Sequence, residues 1–348
     1  MKYARMFIQY KYKMQKRPDG PLWPRDGNLG DAIQNLAVEN IYKKAGISEN
    51  SLCKVNRDEL KTYNGKDVKL VMQSWFGDYA DVFPLPWSEK ITPIFIGFHL
   101  STINNTRDRF IKEKIYEQMK QYEPIGCRDR NTRDFLISLG VKAYFSGCMT
   151  LTFDKRKKEP QKGKIFLVDL TPDAEQVIPE EIKQEADRTI SHFYYWNEYP
   201  VNKQGAQEFE DYARKILQRY KNEAKLVITS KIHSAMPCVA MGIPVIFINE
   251  DSKNERFDVL NGILPVYTPK DNRYIDWNPK ATNIDQLKNA IMNNAVAQIT
   301  GTNKDTALQN LIDCTDKLKP INFRQKVLNK PIRSKHHSFW WHLKHMNF

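Results

Sequence analysis

The sequence predicts an α/β protein made of two Rossmann-like domains of about 150 residues each, facing one another across a central cleft. Three observations lead there. Short apolar, β-branched runs alternate with helical patterns along most of the chain. A charged break without apolar residues, Asp154 to Gly163 (DKRKKEPQKG), splits that alternation into two series. The stretch Ala224 to Asn249, AKLVITSKIHSAMPCVAMGIPVIFIN, reads as strand, polar loop, helix, tight turn and strand, the unit of a parallel sheet.

In chain order, Tyr3 to Tyr10 reads as a first strand. Arg17 to Gly30, rich in Pro and Gly, reads as a loop entering an amphipathic helix near Asp31 to Lys44. Val68 to Gln73 and Pro93 to Phe98 are expected as buried strands, and Arg107 to about Gln121 as one charged helix. A strand at Pro124 to Cys127, a helix at Asn131 to Leu139 and a strand at Val141 to Phe145 close the first series. The second opens with a strand at Lys164 to Leu170. It continues through helices near Gly205 to Tyr220, Ile284 to Asn294 and Lys304 to Lys317. The expected division is a first Rossmann-like domain over 1–153, a linker over 154–163, a second Rossmann-like domain over 164–316 and a tail over 317–348.

Composition narrows the class. The 348 residues are ample for a sizeable core, and no apolar run approaches the roughly 20 residues that span a bilayer. The N-terminus lacks the apolar region and small-residue cleavage site of a signal peptide. Five widely spaced cysteines give no CxxC pair and no disulfide framework. Together these predict a cytoplasmic protein. Of the formal charge of +13, eight cations and no acid lie from Lys317 onward, among Phe339, Trp340, Trp341 and Phe348. Such a tail suits the headgroup layer of an anionic membrane, or packs as a basic arm on its own domain. Without a recognisable module it argues against a nucleic-acid binder.

Candidate site residues cluster at strand-to-helix junctions. Lys231 and His233 open the helix after the strand Leu226 to Ile228, with Thr229 and Ser230 as N-cap types. Cations at the positive end of a helix dipole cost stability unless an anion joins them, so this end reads as a phosphate or carboxylate site, Ser230 and Ser234 beside it. Asn28-Leu29-Gly30-Asp31, with Gln34 one turn on, marks the first junction. There Asp31 is either a helix cap or a ligand to sugar hydroxyls, and Gly30 admits close approach. Arg128, after Ile125-Gly126-Cys127, either forks onto an anion or pairs with Asp129 or Asp134. Ser146 to Thr152 (SGCMTLT) presents small hydroxyl residues, Thr150 among them. His99 is either a loop-edge base or a structural histidine. The few His and Cys have no metal-ligand spacing, so neither metal nor bound cofactor is expected.

Taken together, NLGDAIQ, GCRDRNT, SGCMTLT and above all TSKIHSAMPCVAMGIPVIFIN resemble the polysaccharide pyruvyl transferase family, in order from about Asn28 to Asn261. The resemblance implies a GT-B-like fold and phosphoenolpyruvate as co-substrate. It also implies transfer of pyruvate as a ketal onto a sugar of a surface polysaccharide or its lipid-linked precursor. The family's donor triplet Arg-Leu-His falls on Lys231, Ile232 and His233, and its upstream arginine on Arg128. Lysine replaces the triplet's arginine, exchanging a bidentate fork for a point charge, and Arg256 is a cation placed to compensate. On this reading His233 is the acid, Asp31 or His99 the base, and Asn28, Gly30, Gln34 and Thr150 line the acceptor. A nucleotide-sugar glycosyltransferase of the same shape and a catalytically silent glycan-binding protein remain as alternatives.

Overall fold

A computed structural model describes residues 1–9, 14–16, 22–24, 26–77, 83–195, 202–251 and 254–324. The first half builds two four-stranded parallel sheets. Lys2–Phe7 pairs with Cys53–Asn56 on one side and Val68–Val71 on the other, and the latter pairs with Ile91–Ile94. Both of those segments resume after a kink, as Ser74–Phe76 and Phe98–Leu100, and lead on to Ile125–Cys127 and Ala143–Phe145. The expected strands at 68–73 and 93–98 are therefore each interrupted. At the second break Gly97 has φ +72° and donates its N–H to Ser146 Oγ at 2.8 Å, a bend that costs glycine little. The second half is a parallel sheet ordered Lys164–Val168, Ala224–Thr229, Val245–Ile248 and Val266–Tyr267.

The helix Leu29–Lys44 joins the halves. Its Asn28 N-cap accepts from Gly30 N, and most of its length is buried. It packs on Lys2–Phe7 and also on the helices Lys203–Glu223, Ile232–Ala240 and Asp285–Thr300, so one apolar core runs through both halves. A buried ion cluster reinforces the seam. Arg5 forks onto Glu210 at 2.5 and 2.9 Å and reaches Glu39 at 3.2 Å, and Arg214 holds Glu39 from the far side.

Several expectations shift. The helix expected over Arg107 to Gln121 is two, Thr106–Lys112 and Ile115–Met119, broken at Lys114 with φ +51°. The loop expected over Arg17 to Gly30 contains two short strands, Leu22–Pro24 and Asp26–Asn28. Leu22–Pro24 pairs with Met14–Lys16. Asp26–Asn28 pairs antiparallel with Phe193–Tyr195, a ribbon drawn from both halves. Residues 154–163 carry no helix or strand, yet Arg156 is anchored on the second sheet through the Ala224 carbonyl at 2.6 Å. The start of the tail packs on its own half: Phe323 stacks near Tyr267, and Arg324 pairs with Asp271 at 2.7 Å. The rest of the basic aromatic segment lies outside the described residues, as does much of the loops at 17–28 and 76–87. Among the described residues no helix is long and apolar enough to cross a membrane.

Candidate active site

Site residues lie in or just after strands in both halves: His99 lies in Phe98–Leu100, Arg128 follows Ile125–Cys127, and Lys231 and His233 follow Ala224–Thr229. Ile232–Ala240 follows the strand Ala224–Thr229. Its N-cap is Lys231 rather than Thr229 or Ser230, and no side chain caps it. Neither hydroxyl expected as a cap reaches the amides inside the helix, although Thr229 Oγ1 accepts from the N-cap amide of Lys231 at 3.0 Å, and both donate to neighbouring strands. Thr229 Oγ1 donates to the Val168 carbonyl at 2.9 Å and Ser230 Oγ to that of Ile248 at 2.6 Å, tying strand ends together. The first amides of this helix therefore keep the character of an anion-binding end.

His233, in the first turn, is the hub. Gly30 approaches it so closely that a Cβ on Gly30 would lie 2.6 Å from His233 Nδ1. Any larger residue would collide with the imidazole, which is the physical reason for glycine there. Burial first, and then the positive field of Arg128 and Arg256 and the neighbouring His192 and His99, push the His233 pKa well below 6.5. His233 Nε2 lies 3.8 Å from Cys148 Sγ.

Arg128 is 1% exposed, so a solvated ion pair is excluded. Its Nη1 donates to Gln34 Oε1 at 3.0 Å, Nε lies 3.9 Å from Asp129, and Nη2 is buried with no hydrogen-bond partner among the described residues. A buried guanidinium N–H left over is costly unless a ligand takes it. His99 shows the same economy. Its Nδ1 lies 2.5 Å from Asp129 Oδ2, while Nε2 is buried and without a partner. Burial would raise the Asp129 pKa, but His99, Arg128 and the Thr132 amide outweigh it and hold the carboxylate well below its usual range. The charged Asp129 thus fixes the proton of a neutral His99 on Nδ1 and leaves Nε2 an acceptor. Burial and Arg128 bring the His99 pKa down to about 4.

The other candidates are placed as follows. Asp31 is engaged on both oxygens, by Arg57 Nη1 at 2.9 Å and Gln34 Nε2 at 3.3 Å. Gln34 therefore links Asp31 to Arg128. Asn28 is exposed at the ribbon, and Thr150 is fully buried with its hydroxyl 3.1 Å from Cys148 Sγ. Ser234 bonds Tyr220 at 3.0 Å, whose hydroxyl in turn meets His192 Nε2 at 2.9 Å. Lys231 places its ammonium 4.0 Å from the centre of the half-exposed Phe193 ring. Arg256 lies in a short 3-10 turn, Glu255–Leu260, close enough to act on both His99 and His233. Among the described residues no His, Cys, Asp and Glu cluster could hold a metal. A separate cavity of about 620 Å³, lined by Leu36, Glu39, Lys43, Phe153 and Arg214 among others, includes none of these groups.

Sequence reading passed over two functional neighbours. Asp129 is read in sequence only as a possible partner for Arg128, although its position three residues before Thr132, at a helix start, is an N-cap signal. His192, fully buried beside the hub, sits in a loop without periodicity and had no signal at all.

These buried histidines predict acid sensitivity. A His whose folded pKa lies below its unfolded value of 6.5 binds fewer protons when folded, so stability rises with pH across that interval. His99 and His192 at about 4, and His233 well below 6.5, all act in this sense. Asp258, raised to about 7 by burial and by Asp129, acts in the opposite one. Three groups outweigh one. The urea midpoint should therefore fall steadily from pH 6.5 to pH 4, and a flat profile would contradict the neutral, buried histidines.

Comparison with known proteins closes the assignment. In overall fold the chain is similar to an uncharacterized protein from Klebsiella pneumoniae (15% identity, TM-score 0.41, covering 74% of this chain and 88% of that one). It is likewise similar to a protein described as a UDP-N-acetylglucosamine 2-epimerase from Listeria monocytogenes (11%, 0.36, 87% and 98%) and to S. aureus MnaA with UDP (11%, 0.36, 99% and 98%). Likenesses this distant say nothing about chemistry. No curated protein matches the sequence. The model of the polysaccharide pyruvyl transferases matches residues 28–252, which is well over half of the chain and includes Gly30, His99, Arg128 and His233. The chain belongs to the polysaccharide pyruvyl transferase family.

Proposed function

We propose that this transferase takes pyruvate from phosphoenolpyruvate and places it as a ketal across two hydroxyls of a glycan or lipid-linked oligosaccharide. One observation carries the reading. Two buried nitrogens without partners, Arg128 Nη2 and His99 Nε2, belong to residues that act on His233 beside an uncapped helix end. Phosphoenolpyruvate carries about three negative charges near neutral pH, which matches a pocket that gathers Arg128, Arg256 and Lys231 around a helix N-terminus.

The chemistry then divides among named groups. Arg128, Arg256, Lys231 and the amides at the start of the Ile232–Ala240 helix hold phosphate and carboxylate. His233 gives a proton to the methylene carbon, leaving a cationic C2. One sugar hydroxyl attacks C2 and passes its proton to His99 Nε2, phosphate leaves, and the second hydroxyl closes the ring as its proton returns to His233. Asp31 is a weaker base in this scheme, since Arg57 and Gln34 already occupy its carboxylate. Ser230, Ser234 and Asn28 shape the pocket through the bonds given above, and Gly30 and Gln34 bring the first half to His233 and Arg128.

The depressed pKa of His233 fits this scheme. Burial, and then the positive field of Arg128 and Arg256, keeps the imidazole neutral; a bound anion opposes that field and favours protonation as the acid is needed. Phosphoenolpyruvate binding near pH 7 should therefore take up protons, seen as a buffer-dependent binding enthalpy that His233→Gln abolishes. Lys231→Arg should retain turnover, because a guanidinium can keep the stacking on Phe193 and restore the fork; loss of activity would assign the ammonium a role of its own.

The deciding experiment incubates purified protein with phosphoenolpyruvate and a panel of oligosaccharides. Phosphate release together with a pyruvate-ketal mass gain supports the proposal. Turnover of UDP- or GDP-sugars in its place would sink it. Tail contact with an anionic membrane is part of the same proposal, and deleting residues 325–348 should weaken binding to phosphatidylserine vesicles.

A further inference from the structure

Cys148 has no part in the scheme above, yet it touches the imidazole at its centre. Its Sγ lies 3.8 Å from His233 Nε2 and 3.1 Å from Thr150 Oγ1, and both Cys148 and Thr150 are fully buried. Burial raises the thiol pKa; Arg128 and the two hydrogen bonds from Thr150 pull it down without reversing the shift. The sulfur therefore keeps its proton near neutral pH.

Bond directions follow from that. Sγ and the Thr150 hydroxyl can each donate to the other; where the hydroxyl donates, sulfur accepts from Thr150 and its own S–H can turn to a second partner. The remaining S–H is a donor, and His233 Nε2 is the acceptor within its reach. On the opposite edge of the ring, Nδ1 packs against the start of the Leu29–Lys44 helix, so close that a Cβ on Gly30 would lie 2.6 Å from it. That the ring borders a ligand pocket is marked independently by Arg128 Nη2 and His99 Nε2, both buried and lacking a protein partner.

We propose that Cys148 is a positioning residue: oriented by Thr150, its S–H donates to Nε2 of His233 and so places the imidazole proton on Nδ1, the edge beside Gly30. The consequence for turnover rests on the pyruvyl-transfer reading, in which His233 is the acid and its ring orientation and tautomer govern delivery of the proton. The tautomer does not depend on that reading. Thr150, expected from sequence among acceptor contacts, becomes the residue that sets the sulfur's direction.

The test reads the resting protein first. In ¹⁵N-histidine-labelled protein, the His233 signals are those lost in His233→Gln, and wild type should carry its proton on Nδ1. Cys148→Ala and Thr150→Val should both shift His233 toward the Nε2–H form, while Cys148→Ser, which keeps a donor, should retain Nδ1–H. In turnover, Cys148→Ala should lose about a hundredfold in kcat with the KM for phosphoenolpyruvate little changed, and Cys148→Ser should recover most of it. An Nε2–H wild type, or a Cys148→Ala protein with the wild-type tautomer, would overturn the proposal. If no pyruvyl transfer is found, the tautomer still decides the role of Cys148, so the two failures are distinguishable.

Discussion

Replacing His233 by alanine is expected to lower kcat/KM for pyruvyl transfer by about 10²–10⁴-fold, the range that positioned acid catalysis supplies. Three features concentrate the effect on this residue. It stands in the first turn of the uncapped helix, it fills the space that Gly30 leaves open, and its charge state is controlled by Arg128 and Arg256. His233→Gln separates shape from chemistry, since it keeps a planar polar group but has no titratable proton. Both variants should fall together in kcat, with phosphoenolpyruvate affinity reduced less than rate. A His233→Gln enzyme within tenfold of wild type would remove His233 as the acid and leave it a packing residue.

The second large effect is structural. Arg5→Ala should destabilise the protein by about 3–5 kcal/mol, the usual cost of stranding one member of a buried ion pair. Glu210 is 1% exposed and would lose both bonds from the guanidinium, leaving Lys54 at 3.4 Å as its remaining cation. The Arg5→Met, Glu210→Met double variant removes both charges at similar volume and should recover most of the loss, because neither group then remains buried unpaired. Urea unfolding measures both. Equal destabilisation by the single and double changes would show that the seam depends on packing rather than on charge.

What could be read from sequence was what is local. Val245–Ile248 stands where its apolar run places it, and Ala224–Thr229 extends the expected strand by two residues at its start and one at its end. Glycine and proline after the helix Ile232–Ala240 also mark its end correctly. Contacts made across the chain were hidden. The ribbon of Asp26–Asn28 with Phe193–Tyr195 uses strands too short for any periodicity to register. The break at Lys114 needs a left-handed lysine, which no local preference announces. At the site, residue types and helix starts gave His233, Arg128 and Gly30 as candidates. Their mutual approach is a property of the fold, as is the grip of Asp129 on His99. Ser230 was read as a cap because of its place before a helix, but the adjacent strand claims its hydroxyl first.

The seam between the halves also governs how the chain is made. Arg5 waits for Glu210, a partner 205 residues later, and at typical ribosomal rates that interval is on the order of 10–40 s. Until then the leading strand carries a cation meant for burial, and the Leu29 N–H lacks the His192 carbonyl that it meets at 2.9 Å. The nascent first half therefore cannot settle early as a finished domain. Its most exposed period falls while the residues of its own active site are already outside the ribosome and their counterparts are still being translated.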